Sequence, residues 1–277
     1  MVEMPTSSAG WPRDEEVDRR LALAREAARE AGELTLRYFR DERLAVELKA
    51  DQSPVTIADR AAEELLRQRI AGGFGADGIL GEEFGEVAGT SGFRWILDPI
   101  DGTKSFIHGV PLYGTMVGVE FGGQAIAGVI ALPALDECIW AALGRGAWHE
   151  RPGHPAERAK VSATARLADS LFCTSDAKSF ADSGRGAVYE RLQAATRLGR
   201  TWGDCYGYVL VATGRAEMML DPIMNVWDAA AVQPIIEEAG GTFTDWRGRR
   251  AIDAGEGIAT NGHVWPELLA LLDESEK

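Results

Sequence analysis

Histidine and cysteine are scarce in this chain, four and three in 277 residues. Cys138, Cys173 and Cys205 are far apart and form no CxxC pair, which argues against a disulfide frame or a thiolate zinc site. They read as small buried hydrophobes in a reducing compartment. His108, His149, His154 and His263 show no metal-ligand spacing, and surface or loop roles suit them. Basic charge is short as well: 29 Lys and Arg stand against 43 Asp and Glu, a net of -14. Like charge repels at long range, which argues against nucleic acid or an anionic membrane surface as the main partner. Most of the acidic excess reads as solvated surface, though it admits metal cations and cationic small molecules. There is no apolar run of about 18 residues and no signal-peptide core near the start, so a soluble cytoplasmic protein is expected.

What is present suffices for one large core or two fused half-cores, since 45% of residues are hydrophobic. Residues 1–13 read as a flexible leader. Val17, Leu21, Ala24, Ala28, Ala31, Leu34 and Tyr38 fall at helical spacing and predict a helix from Asp14 to Arg40, with Asp14 as N-cap. A short strand and turn in LAVELKADQSPVT precede a second helix, Ile57–Ile70. Strand Ile79-Leu80 then ends at Gly81-Glu82-Glu83. Residues 112–120, 124–132 and 137–142 predict an antiparallel meander. The polar Gly/Pro-rich patch at 150–160 suggests a boundary between halves at 14–155 and 156–277, within one compact unit. The second half predicts strands at 170–174, 216–221, 242–245 and 257–260. Its helices are expected at 186–198, 204–214, 227–240 and 266–273. This interleaving indicates an α+β or α/β layered sandwich with mixed sheets.

Chemistry concentrates in WILDPIDGTKSF, residues 95–106. Buried strand ends seldom finish in two anions unless a cation or ligand compensates them. In a turn leaving the strand, Asp98, the Ile100 carbonyl and Asp101 would converge as three hard oxygen ligands for Mg2+. A helix starting near Gly102-Thr103 would aim free amides at the same spot. Divalent metal plus anion-binding amides is what a phosphoryl group requires. An Asp-rich turn capping a helix explains the same letters. Glu82 after a strand, Asp59 at a helix start and Asp228 on the first turn of an apolar helix are each bland alone. Together with Asp98 and Asp101 they are hard to explain as caps only.

ILGEE, WILDPIDGTKSF and VWDAAAVQPIIEEAGG, in that order and at those separations, resemble the inositol monophosphatase superfamily over about residues 15–270. The resemblance implies an αβαβα sandwich and a Mg2+-dependent, lithium-sensitive phosphatase. It places Glu82, Asp98, the Ile100 carbonyl and Asp101 on a first ion, and Asp98, Asp101 and Asp228 on a second. Asp59 with Glu82 would serve a weaker third. Thr103 would orient the attacking water, and the Gly102 and Thr103 amides would hold the phosphate. A homodimer is expected on the same ground.

The second half narrows the resemblance. GDCYGY, LDPIMNVWD and DGTKSF resemble the histidinol-phosphate phosphatases of this fold, and Trp202 stands where inositol-hydrolysing members carry a small residue. Asp204 and Asp221 would then face the ammonium and imidazole of the substrate, with a charge-assisted bond contributing about 1.5–3 kcal/mol. Helix capping by Asp204 and a strand end at Asp221 remain open alternatives. Lys104 either adds charge near the phosphate or is solvated. Two other functions stay in play: an inositol-1-phosphate or broad sugar-phosphate phosphatase, and a catalytically silent regulatory protein of the same fold.

Overall fold

The computed structural model describes residues 11–273. Of the expected leader, residues 1–10 lie outside that range, while Trp11 sets its ring edge-on to Phe121 at 6.4 Å. Helix α1 spans Asp14–Leu36. Its N-cap is Arg13 rather than Asp14: the Arg13 amide donates to Glu16 Oε2 at 3.0 Å. Asp14, Glu15 and Glu16 fill the first turn, where the helix dipole favours acids. The helix stops four residues early, and Arg40 turns the chain at φ 63°.

An antiparallel ribbon of β1 (Val46–Leu48) and β2 (Pro54–Thr56) delivers Thr56 as N-cap of α2 (Ile57–Phe74). Then come β3 (Gly78–Gly81), β4 (Gly85–Val87), β5 (Phe93–Asp101) and the short α3 (Thr103–Ile107). The expected meander is β6 (Gly114–Phe121), β7 (Gln124–Leu132) and β8 (Glu137–Ala142). It continues through β9 (Gly146–Arg151) and β10 (His154–Arg158), completing an eight-stranded sheet of order β10-β9-β8-β7-β6-β5-β3-β4. Most of the polar patch at 150–160 is therefore an edge hairpin of this sheet. Ala147 and His149 are buried from β9 at period two, a pattern the flanking charges hid. His149, expected at the surface or in a loop, lies inside with Nε2 2.9 Å from Glu137 Oε2.

The second sheet is built from β11 (Leu171–Cys173), β12 (Leu198–Arg200) and β13 (Met218–Asp221), with β14 (Thr242–Thr244) and β15 (Gly257–Thr260). Its order is β12-β11-β13-β15-β14, the first three parallel and the rest antiparallel. Helices α4 (Ala177–Asp182) and α5 (Gly186–Ala195) precede β12, and α6 (Cys205–Ala212) precedes β13. Expected helix 186–198 thus ends early and releases β12. Expected helix 227–240 is two, α7 (Val226–Ala230) and α8 (Val232–Glu238), because Pro234 has no N–H to donate to Ala230. Helix α9 (Trp265–Asp273) closes the described chain.

Three apolar clusters show the layering. Ala24, Ala28 and Leu66 of α1 and α2 pack on Trp95, Val117 and Val129 of the large sheet. Met116 and Ile130 on its other face meet Val209 and Ile235 of α6 and α8, and these meet Met219 and Phe243 of the second sheet. Phe172, Met218 and Ile258 then pack on Leu192 and Leu268 of α5 and α9. This is an αβαβα sandwich with one face of each sheet against the shared central helices. Cys138, Cys173 and Cys205 are buried and unpaired within it.

Candidate active site

The first turns of α2, α3, α6 and α7 and the end of β5 meet on one side of this sandwich. Strands β5 and β6 pair regularly to Asp98 and Met116, slip, and resume at Asp101 and Gly114. Pro99 sits in the slip and supplies no ladder donor. Its carbonyl accepts instead from the Thr115 hydroxyl at 2.8 Å. One carboxylate oxygen from each of Asp98, Asp101 and Asp228 lies within 4.8 Å of the others.

Asp98 is only 2% exposed, and its buried Oδ1 has no hydrogen-bond partner among the described residues. Burial pushes its carboxyl well above the ordinary value, aided by the charges of Glu82, Asp101 and Asp228. Burial likewise raises Asp101, next to Asp204 and Asp228, although Asp101 accepts the Cys205 amide at the start of α6. Asp228, pushed up to about 6 by burial, closes a capping box on α7 by accepting from the Asn225 amide at 2.7 Å. Capping and clustering therefore coexist in one side chain. Such convergence is expensive unless a cation offsets it, and an orphaned carboxylate oxygen among hard donors fits a divalent ion.

Glu82 stands beside this cluster, its carboxyl raised to about 7 first by burial, with Lys49 opposing the shift. Lys49, which no sequence pattern singles out, places Nζ 2.7 Å from Glu82 Oε1 and 2.6 Å from Glu83 Oε1. Burial lowers the Lys49 ammonium pKa, but those two bonds outweigh it and hold the group above its ordinary value.

Asp59 also does two things. Its Oδ2 accepts from the Thr56 amide at 2.8 Å and hydroxyl at 2.7 Å, the expected capping arrangement. Its Oδ1 faces the Thr103 hydroxyl at 3.3 Å, and burial raises its pKa. The Thr103 hydroxyl also lies 3.0 Å from the Ile100 carbonyl. Gly102 precedes Thr103 at φ 84°, and a Cβ there would stand 2.9 Å from Asp204 Oδ2, so only glycine fits. Lys104 is exposed, yet its charge reaches Asp204.

Asp204 occupies the N-cap position of α6 but makes no side-chain cap bond, at φ 51° and ψ -154°. That backbone region is nearly glycine-only and costs on the order of 1–3 kcal/mol. Its amide donates to Ser175 Oγ at 2.9 Å, and Ser105 Oγ approaches Oδ2 at 3.4 Å. Burial, then the Asp221 charge, lifts its carboxyl to about 7. Asp221 ends β13, as the strand reading allowed, and is buried under four donors. Ser175 supplies its amide at 2.9 Å and hydroxyl at 3.0 Å, Tyr208 its hydroxyl at 2.9 Å, and Thr174 its hydroxyl at 3.4 Å. Burial nevertheless raises the Asp221 pKa. Asp101, Asp204, Asp221 and Asp228 line one cavity of about 120 Å³, with Ser175, Tyr208, Ile223 and Met224. Trp202 is exposed, with the Arg200 guanidinium 5.8 Å from its ring. Ser105, Ser175 and Tyr208 were not legible as site residues, although Tyr208 falls one helical turn after Asp204.

Fold and site together define a class: layered sandwiches whose acidic residues gather at strand and helix ends. The chain belongs to the inositol monophosphatase family, whose sequence profile matches residues 16–277. It is 47% identical to a histidinol-phosphatase of Chlorobaculum parvum, over 93% of this chain and 98% of that protein. It is 33% identical to an inositol-1-monophosphatase of Rhizobium meliloti, over 86% of this chain and 90% of that protein. The extragenic suppressor protein SuhB of Bartonella henselae superposes with a TM-score of 0.85 at 30% identity, covering 92% and 98% of the two chains.

Proposed function

We propose that this protein is a Mg2+-dependent phosphomonoester hydrolase acting on L-histidinol phosphate, releasing L-histidinol and phosphate. The observation that carries the phosphatase reading is the buried, unpartnered Asp98 oxygen within the Asp98, Asp101 and Asp228 cluster. The 47% identity to a histidinol-phosphatase supports the substrate. Glu82, Asp98, the Ile100 carbonyl and Asp101 would hold one ion, and Asp98, Asp101 and Asp228 a second. Asp59 with Glu82 would hold a weaker third. When bound, such ions lower the pKa of coordinated water and offset charge on the phosphoryl oxygens.

The chain's own groups do the rest. The Thr103 hydroxyl accepts a proton from the attacking water while passing its own to Asp59 Oδ1. The new P–O bond forms as the ester bond breaks, and the leaving alkoxide takes a proton from solvent. Gly102 and Thr103 amides orient the phosphate. Asp204, whose carboxylate is approached by Ser105 Oγ at 3.4 Å, would face the substrate's cationic end, whereas Asp221 would hold Ser175 and Tyr208 in place. Lys104 contributes long-range charge only. A homodimer and lithium sensitivity belong to the same reading. Buried free thiols at Cys138, Cys173 and Cys205 support a reducing, cytoplasmic setting.

The test is phosphate release from L-histidinol phosphate and inositol 1-phosphate, side by side, with Mg2+ and with EDTA. A tenfold or greater lead in kcat/KM for histidinol phosphate, about 1.4 kcal/mol, is expected. A lead for inositol 1-phosphate would keep the metal chemistry and discard the substrate. No Mg2+-dependent release from either would leave the silent regulatory reading.

A further inference from the structure

Glu63 is buried to 0% exposure on α2, one turn after Asp59, and no catalytic step uses it. Three donors converge on its carboxylate. Oε2 accepts from the Glu83 amide at 2.7 Å, and Oε1 accepts from the Phe84 amide at 3.2 Å and from Arg67 Nε at 2.7 Å. Arg67 also donates through Nη2 to the Gly85 carbonyl. A Cβ at Gly81 would collide with the same carboxylate, so the turn rests directly upon it. Residues 83, 84 and 85 are thus held by Glu63 or its partner Arg67, and Gly81 packs directly against the carboxylate. Glu82 lies between them, its charge acting on Asp98.

We propose that Glu63 is a positioning residue: its carboxylate fixes the 81–85 turn and so sets where Glu82 stands relative to Asp98 and Asp228. This rests on the metal reading given above. The arrangement needs a full carboxylate, because its two oxygens each accept and neither donates. An amide in its place turns an NH2 group against one of three donors, and the turn has to shift. Helix α2 would then serve the site twice, through Asp59 toward Thr103 and through Glu63 toward Glu82. A group that orients a metal-binding side chain typically changes metal affinity by about 10–100-fold when lost.

The test is Mg2+ binding by isothermal titration calorimetry on wild type and Glu63→Gln, alongside Mg2+ dependence of turnover and metal-free Tm. Wild type is expected to bind Mg2+, and Glu63→Gln to bind it about tenfold more weakly. Raising Mg2+ should recover much of the lost turnover. A purely structural role would lower Tm and leave Mg2+ affinity alone. Should Glu63→Gln fail to fold, Arg67→Met replaces it, because it removes the guanidinium while leaving the carboxylate and both amide bonds. A smaller loss of affinity, about threefold, is then expected. An Mg2+ dissociation constant within about twofold of wild type in the folded variant overturns the proposal alone. Absence of Mg2+ binding in wild type overturns the metal reading and this inference with it.

Discussion

The Thr103 hydroxyl stands 3.3 Å from Asp59 Oδ1, joining the first turns of two helices that are 44 residues apart in sequence. The contact is long for a hydroxyl donor, and the Ile100 carbonyl competes at 3.0 Å. The hydroxyl is the donor in both contacts, so its oxygen's lone pairs remain available to an incoming donor.

Thr103→Val keeps the shape and removes that oxygen. Because general-base help is worth about 10²–10⁴ in rate, kcat is expected to fall by that range while KM for the phosphate ester changes little. Asp59→Asn should cost a similar factor, and the double variant no more than the worse single one, since the two act as a unit. Steady-state kinetics at saturating Mg2+ decides it. Turnover of Thr103→Val within about threefold of wild type would remove the hydroxyl from the mechanism.

Asp98→Asn converts the most buried anion of the cluster into a neutral group of equal size. With no cation bound, that change relieves repulsion from Glu82, Asp101 and Asp228, so the EDTA-treated variant is expected to melt above EDTA-treated wild type. Activity should vanish, and the Mg2+-induced rise in Tm should be lost with it. Differential scanning fluorimetry with and without Mg2+ reads both effects. Retained turnover at saturating Mg2+ would sink the metal assignment.

The motif-bearing part of this site was legible because each acid sits where an apolar element ends, a pattern visible in one dimension. Asp59, Asp98, Asp101 and Asp228 all lie at such ends, and the structure brings the last three together. The meander was legible because β6 to β8 are near-continuous apolar runs. Lys49, Glu63 and Ser175 were not, because their roles depend on contacts 29 or more residues away or on backbone amides that sequence does not display. Strand β9 was hidden by charged neighbours, and the break between α7 and α8 by an otherwise helical apolar pattern. The latter was readable in principle, since Pro234 removes the donor at that turn.

The acids of the site give the metal-free protein a defined pH response. Burial pushes the carboxyls of Glu82 and Asp204 up to about 7 and that of Asp228 up to about 6, above the ordinary carboxylate range. Between about pH 4.5 and pH 7 the folded protein therefore holds more protons than the unfolded chain, and stability falls as pH rises. Tm of the EDTA-treated protein is expected to drop across that window. Mg2+ binds the deprotonated carboxylates, so its stabilising effect should grow over the same range. A metal-free Tm that rises steadily to pH 7 would contradict the raised carboxyls.

Substrate choice is expected to depend on Asp204 and Asp221 in different ways. Asp221 accepts from Ser175, Tyr208 and Thr174, so Asp221→Ala unpairs three hydroxyls and one amide and should lower Tm as well as activity toward every ester. Among the described residues, Asp204 has only the distant Ser105 hydroxyl on its carboxylate, and it makes no side-chain cap bond. Asp204→Asn should therefore raise KM for histidinol phosphate by about tenfold, the worth of one charge-assisted bond, and leave inositol 1-phosphate within about twofold. The variant keeps the side-chain size and the strained backbone, so its Tm should hardly move. Parallel KM measurements on the two esters decide the point. An equal rise for both would mean that Asp204 acts on the phosphate end through Asp101, whose carboxyl its charge raises, and does not read the cation.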